Sequence, residues 1–180
     1  MENPFLIGDK VYLRPIEPDD GPRLRRWFND YEVRRATSRH RPMHAAAQEE
    51  WMKNMQSRGD VVLMIVVRGT DETVGMTGLH EIDPRHRRAT YGIAIGEKNE
   101  WNKGYGTEAA RLLVGYGFDT LNLHKVCLDA FADNARAIHS YEKLGFRHEG
   151  LFREHFFRDG RYCDGVVMGV LRNEWGKTVA

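Results

Sequence analysis

Cysteine is scarce. Cys127 and Cys163 are the only two in 180 residues, which excludes a disulfide framework and points to a reducing compartment, read as the cytoplasm. Long apolar runs are missing as well. No stretch approaches the roughly 18 consecutive apolar residues of a membrane span. Met1-Glu2-Asn3-Pro4-Phe5 lacks the basic-then-apolar order of a secretion signal. Neither sign of charge is in excess: 27 Lys and Arg face 26 Asp and Glu, so global charge argues neither for nor against nucleic acid. The basic run Arg85-His86-Arg87-Arg88 has no interleaved aromatics, and nucleic acid is not expected as a partner. The eight histidines include no pair at the spacing of a zinc site, so no metal is expected. Repeats, linkers and low-complexity tracts are absent.

What remains is an ordinary globular composition, 41% hydrophobic and 29% charged, of a length that suits one domain over residues 1–180 with a real core. Residues 11–14 read as a short strand. Asp19-Asp20-Gly21-Pro22 is a helix start, and Leu24, Trp27 and Phe28 share a helical face. An irregular basic stretch follows, then a helix over 45–55. Residues 61–67 are a buried strand by length and β-branching, 74–82 its hairpin partner, and 89–95 a third strand. A helix spans 104 to about 120, with Tyr105, Ala109, Leu112, Leu113 and Tyr116 on one face. A strand over 125–131 and a helix from Asn134 to Gly145 precede a final hairpin, 146–156 with 162–171. This order makes an α+β, mixed α/β fold: a mostly antiparallel sheet with helices packed on it, and parallel pairing only around the central helix.

The stretch Asn102-Lys103-Gly104-Tyr105-Gly106-Thr107 lies between an apolar strand and that central helix. Two glycines one residue apart permit a tight turn with uncovered N–H groups. The helix N-terminus adds unsatisfied donors and the positive end of its dipole. Together they form a cradle for phosphate or pyrophosphate, although a plain strand-to-helix turn has the same outline. A Walker loop needs four residues between its glycines and then Lys-Ser/Thr, which this sequence lacks. A dinucleotide fingerprint fits Gly104-x-Gly106-x-x-Ala109, with Asp129 about the expected 20 residues on. Only one βαβ unit surrounds it, where that fold needs two halves. The third reading is an acyl-coenzyme A site.

For that reading, residues 74–171 resemble the GNAT superfamily of N-acetyltransferases. The family's coenzyme motif, Gln/Arg-x-x-Gly-x-Gly/Ala, appears as Trp101-x-x-Gly104-x-Gly106. Trp in place of Gln or Arg weakens one side-chain contact and leaves the backbone cradle intact. The family's second coenzyme segment is matched by Asn134-x-x-Ala137-Ile138-x-x-Tyr141-x-x-x-Gly145-Phe146-x-x-Glu149-Gly150. Leu13-Arg14-Pro15 and Trp27-Phe28-Asn29-Asp30 are similar to the branch of ribosomal-protein N-terminal acetyltransferases. His86-Arg87-Arg88-Ala89 and Phe157-x-x-Gly160-x-Tyr162 are similar to bacterial spermidine acetyltransferases. The resemblance implies a seven-stranded, mostly antiparallel sheet splayed at its centre, with about four helices on both faces. It also implies acetyl-CoA as co-substrate and direct attack of a primary amine on the thioester. Family members are often homodimers, and the last strands are the segment that could pair or swap between copies.

Site residues follow from the same resemblance. Tyr141 matches the general acid that protonates the leaving thiolate, although spacing alone equally makes it the core partner of Ile138. Asn134 is both a helix cap by type and a coenzyme contact by resemblance. Asp129 matches the acidic residue proposed as base in the ribosomal branch, and Glu81 an acidic residue of the spermidine branch. A solvated carboxylate or a water relay would serve each position too. Ile93, Ala94 and Ile95 lie where the strand should splay to admit the pantetheine arm and polarise the thioester carbonyl. Residues 102–107 would take the pyrophosphate. A lysine-type or polyamine amine, with pKa near 10.4, must give up about 4 kcal/mol to be neutral at pH 7, an α-amine less. Residues 30–60 should wall the acceptor site. There Arg34, Arg35, Arg39, His40 and Arg41 face Asp30, Glu32, Glu49 and Glu50. That balance favours a protein N-terminus or small amino compound as acceptor over spermidine. A non-catalytic acyl-CoA sensor and a small nucleotide-binding redox domain are the readings of other classes.

Overall fold

A computed structural model describes residues 1–37, 40–57 and 59–176. In chain order the elements are β1 (Leu6–Ile7), β2 (Val11–Pro15), α1 (Gly21–Asn29), α2 (Tyr31–Arg35) and α3 (Ala45–Ser57). Then come β3 (Val61–Val67), β4 (Thr73–Asp83), β5 (Arg88–Ile95), α4 (Tyr105–Asp119), β6 (Lys125–Phe131), α5 (Ala135–Lys143), β7 (Arg147–Arg158) and β8 (Arg161–Leu171). One sheet holds all eight strands in the order β1-β2-β3-β4-β5-β6-β8-β7. Two short elements add to the expected seven strands and four helices. β1 has two residues, too few to show a period of two. α2 has five, and its start is set by the Asp30 carboxylate, which accepts from the N–H groups of Glu32 (2.9 Å) and Val33 (3.1 Å).

The continuous apolar run of β3 has a simple origin. Leu63, Ile65 and Val67 pack into the core cluster under α4 and α5, while Met64 and Val66 pack into a second cluster with Leu24, Trp27 and Phe28 of α1. A strand buried on both faces cannot alternate. Each side chain so buried is worth about 1.5–3 kcal/mol. On α4 the buried stripe is Ala109, Ala110, Leu113, Val114 and Phe118. It is rotated from the face expected from sequence, with Tyr105, Leu112 and Tyr116 at its margin. The small alanines let the helix sit close to the sheet. α1 is tied to the sheet by a buried bidentate pair, Arg14 Nη1 and Nη2 to the two Asp20 oxygens at 2.7 Å each. Burial opposes ionisation of Asp20, but the Arg14 guanidinium and the Glu17 N–H outweigh it and hold the carboxyl below its usual value.

The feature that makes a site lies between β5 and β6. β5 pairs with β4 along its length, from Asp83↔Arg88 to Gly75↔Ile95. It pairs with β6, in parallel, only at Arg88↔Lys125, Ala89↔Val126 and Thr90↔Cys127. Past Thr90 the strands part and β6 continues against β8. Alternate residues of an antiparallel strand turn their N–H and C=O away from the partner, so alternate residues of 91–95 turn main-chain groups toward the opening. This is the expected central splay.

Candidate active site

The turn after β5 is built from backbone. Asn102 (φ 66°) and Gly104 (φ 85°) both adopt the left-handed conformation, which reverses the chain into α4 and suits Asn and Gly. Gly104 is the N-cap and has no side chain to cap the helix, so the first-turn N–H groups stay available. The acidic residue of that turn, Glu108, is engaged elsewhere: its carboxylate accepts from the N–H groups of Asp9 and Lys10. Asn102, Gly104, Tyr105, Gly106 and Thr107 line a cavity of about 410 Å³. Lys103 does not line it; its Nζ pairs with Glu100 at 2.7 Å.

α5 forms the facing wall. Asn134 caps it, accepting from the Ala137 N–H at 3.2 Å, and also lines the cavity. Thr107 Oγ1 and Ser140 Oγ, 2.8 Å apart, tie α5 to the first turn of α4. One and two turns on from the cap, Ile138 and Tyr141 pack against the core. The Tyr141 ring meets Tyr91 edge-on at 6.2 Å and Phe146 at 5.8 Å. Burial, helped by the Asp129 carboxylate, pushes the Tyr141 phenol up to about 12, so it keeps its proton at neutral pH. Tyr91 is held still higher than usual by burial.

A second cavity, of about 300 Å³, opens beyond Tyr141. The two share Ile93, Ala94, Asn134 and Tyr141, so they meet at the splay. Ile95 lines only the first, where its carbonyl accepts from Trp101 Nε1 at 2.9 Å. Asp129 lines the second. Glu81 lines neither: it sits at an irregular step of β4 with φ 51° and accepts from Thr90 Oγ1 at 2.9 Å. The thiol of Cys127 is pushed up by burial, consistent with a packed side chain and not a nucleophile.

Two groupings escaped the sequence. Arg136 lies over the Trp101 ring, 5.0 Å from its centre, with Nη1 3.4 Å from Asn102 Oδ1. The indole at the position of the family's Gln or Arg thus carries a guanidinium brought from α5. The only hint was Arg136's place inside the second motif. The other is His80, whose Nδ1 is 3.1 Å from Asp60 Oδ2 and whose ring lines the second cavity. Nothing in the spacing of residues 60 and 80 announces the pair.

The basic stretch is arranged differently from its expected role. Arg34 stacks on Tyr31, and Arg35 pairs with Asp159 at 2.8 Å. Both line a separate cavity of about 480 Å³. Asp30 and Glu32 are engaged by Lys98. Arg39 lies outside the described residues.

Residues 10–147 match the family model described as an acetyltransferase (GNAT) domain. The chain belongs to the GNAT acetyltransferases. It is similar to spermidine N(1)-acetyltransferase of Escherichia coli K12, 33% identical over 165 residues, 92% of this chain and 88% of that one. It is also similar to a putative ribosomal N-acetyltransferase, YdaF of Bacillus subtilis, 27% identical over 94% of this chain and 95% of that one. Among solved structures, spermidine N-acetyltransferase from Vibrio cholerae, in complex with CoA and spermine, superposes with a TM-score of 0.86. It is 27% identical and covers 93% of this chain and 98% of that one. Family membership makes acetyl-coenzyme A the co-substrate. The acetyltransferase is an acetyl-CoA-dependent enzyme acting on an amine. The uncapped α4 start, the Arg136 cation and the gap beside β5 suit a diphosphate joined to a narrow arm. Among the described residues no cluster suits a metal ion, and no helix is long and apolar enough to cross a membrane.

Proposed function

We propose that this acetyltransferase acts on a primary amine carried by a cationic chain, a polyamine such as spermidine. One observation carries the reading. Among the described residues lining the cavity beyond Tyr141, the only Asp, Glu, Lys or Arg is Asp129. An adjoining cavity of about 280 Å³ holds Glu50 and Asp60 and likewise no Lys or Arg. A polycation finds the Asp129 carboxylate there and Glu50 next door, with no Lys or Arg lining either cavity. The basic stretch that argued from sequence against spermidine lines a third cavity, which meets the second at Thr37, Phe131 and Phe156. The relatives that are spermidine acetyltransferases support the same acceptor.

In the proposed mechanism the α4 start and Arg136 hold the coenzyme diphosphate, and Asn134 lines the arm's path. The thioester supplies an activated acetyl carbon at the splay. A main-chain N–H of residues 93–95 steadies its carbonyl oxygen. Asp129 draws in the ammonium form of the acceptor, and Tyr141, neutral in its buried setting, gives its proton to the departing sulfur. Glu81 lines neither cavity and is assigned no step. The catalytic unit spans residues 1–180, as the continuous sheet supports, and works in the cytoplasm, as two free thiols support. Exposed Leu151, Phe152, Phe157 and Tyr162 on the β7–β8 hairpin support a homodimer, tested by light scattering on the purified chain.

A thiol-release assay with acetyl-CoA and a panel of amines tests the acceptor. Spermidine is expected to turn over faster than glycinamide or peptides. A second reading, a peptide N-terminus, is favoured by the basic and aromatic cavity of Arg34, Phe156 and Arg158 beside the first; faster turnover of peptides would select it. Coenzyme binding without thiol release for any amine would mark a sensor.

A further inference from the structure

We infer that His80 is the general base, held by Asp60 as an acid–imidazole dyad that faces the acceptor cavity. The pair is made by sheet register. Val61 stands opposite Leu79 across β3 and β4, so one residue further on Asp60 stands opposite His80. Their side chains meet at 3.1 Å between Asp60 Oδ2 and His80 Nδ1. The other carboxylate oxygen is fixed too, accepting from the Glu81 N–H at 3.2 Å. An Asp on one ring nitrogen makes that nitrogen the donor and leaves the lone pair on Nε2.

Nε2 faces the space where an acceptor must sit. A Cβ built on Gly78 would be 2.6 Å from His80 Nε2, and one on Gly92 would be 3.5 Å from it. Gly78 and Gly92 are directly paired on β4 and β5. The ring therefore lies across a floor that two glycines keep bare, and Gly78, His80 and Gly92 all line the cavity that holds Tyr141 and Asp129. Among the described residues no hydrogen bond occupies Nε2. By strand alternation Met76, Gly78 and His80 share one face of the sheet, and Thr77 and Leu79 the other. The cavity includes Tyr91 and Tyr141 from the far side, so it passes through the splay. Base and acid thus approach the reacting carbon from opposite faces. By side-chain type an imidazole is a stronger base than a carboxylate and better suited to take a proton from an alkylammonium.

The protons balance as follows. His80 Nε2 takes one proton from the ammonium and passes it to solvent. The freed amine forms the C–N bond at the thioester carbon, and the C–S bond breaks. Tyr141 protonates the sulfur and recovers its own proton from the nitrogen as the amide forms. The assignment rests on the amine-acetylating reading above.

The test is the pH dependence of thiol release by the full chain with acetyl-CoA and spermidine, or whichever amine of the panel turns over fastest. The titratable groups around the imidazole are Asp60, its partner; Glu81, next on β4; Asp129 on β6; Glu50 on α3; and Tyr91 and Tyr141 across the cavity. In the wild type kcat/KM is expected to fall on an acid limb. His80→Gln should lower kcat about 100-fold and remove that limb, with acetyl-CoA affinity unchanged by calorimetry. His80→Ala should recover activity when imidazole is added, which a merely structural histidine would not do. Asp60→Asn should cost about tenfold or more through the wrong tautomer. A His80→Gln enzyme within about threefold of wild type overturns the proposal. So does a wild-type profile without the limb, a result that needs no variant to fold. A wild type that acetylates no amine refutes the functional reading itself, and is distinguishable because the loss precedes any substitution.

Discussion

The cavity at the start of α4 is lined by residues 102 and 104–107 of the turn, by Glu100 ahead of it, and by Asn134, Arg136, Ser140 and Lys143 of α5 and its cap. The cavity beyond Tyr141 takes its polar groups from β4 and β6, with Asp60 ahead of β3 behind His80. The first is shaped by local backbone geometry, two left-handed residues and a helix end. The second is a set of side chains that strand register brings together from positions as far apart as His80 and Asp129. A backbone cradle can bind a coenzyme common to many enzymes while side chains beyond it change the acceptor. Tyr141 stands in both cavities and marks where they meet.

Breaking the scaffold that ties α1 to the sheet should have the largest effect. Removing one partner of the buried Arg14–Asp20 pair leaves an uncompensated charge, so Asp20→Ala should cost about 3–5 kcal/mol in urea unfolding. Because the folded value of Asp20 is depressed, its contribution is present above the ordinary carboxylate value near 4 and lost as pH falls through the folded value. Asp20→Asn should accordingly flatten the acid edge of the stability curve. Next, Tyr141→Phe should lower turnover at least about tenfold, equal to about 1.4 kcal/mol in the barrier, with acetyl-CoA affinity kept. An unchanged kcat would remove Tyr141 from the mechanism. Asn134→Ala should destabilise by about 1 kcal/mol through the lost cap. It should also weaken acetyl-CoA binding, so both must be measured to separate the roles. The smallest effect is expected for Arg136→Ala: about threefold weaker acetyl-CoA binding at low salt, narrowing as salt rises, and no change in acceptor KM. A large change in acceptor KM would break the division between the two cavities.

Legibility followed the same division. β3 and β6 were bounded correctly from sequence because each is a long apolar or alternating run closed by turn residues. The glycine turn, the Asn134 cap and the inward Tyr141 were readable because each signal lies within one turn or one helix. β1 and α2 were missed because two and five residues are too few for a period. The buried face of α4 was misplaced by one step, since alanines against the sheet outweighed tyrosines that the helix could leave at its edge. The family resemblance puts the basic stretch at the acceptor wall, whereas the turn of α2 sends Arg34 and Arg35 to another cavity.

The amino-acid order alone determined the uncapped start of α4, the Asn134 cap of α5, and the family to which those two segments point. Propensity, capping and glycine conformations act over a few residues, so neighbours suffice to state them. Only the tertiary structure decided that Asp60 meets His80, that Arg136 covers Trp101, and that Asp129 is the one Asp, Glu, Lys or Arg among the described residues lining the cavity beyond Tyr141. Those are distances between strands and helices, and they exist only once β5 and β6 have parted.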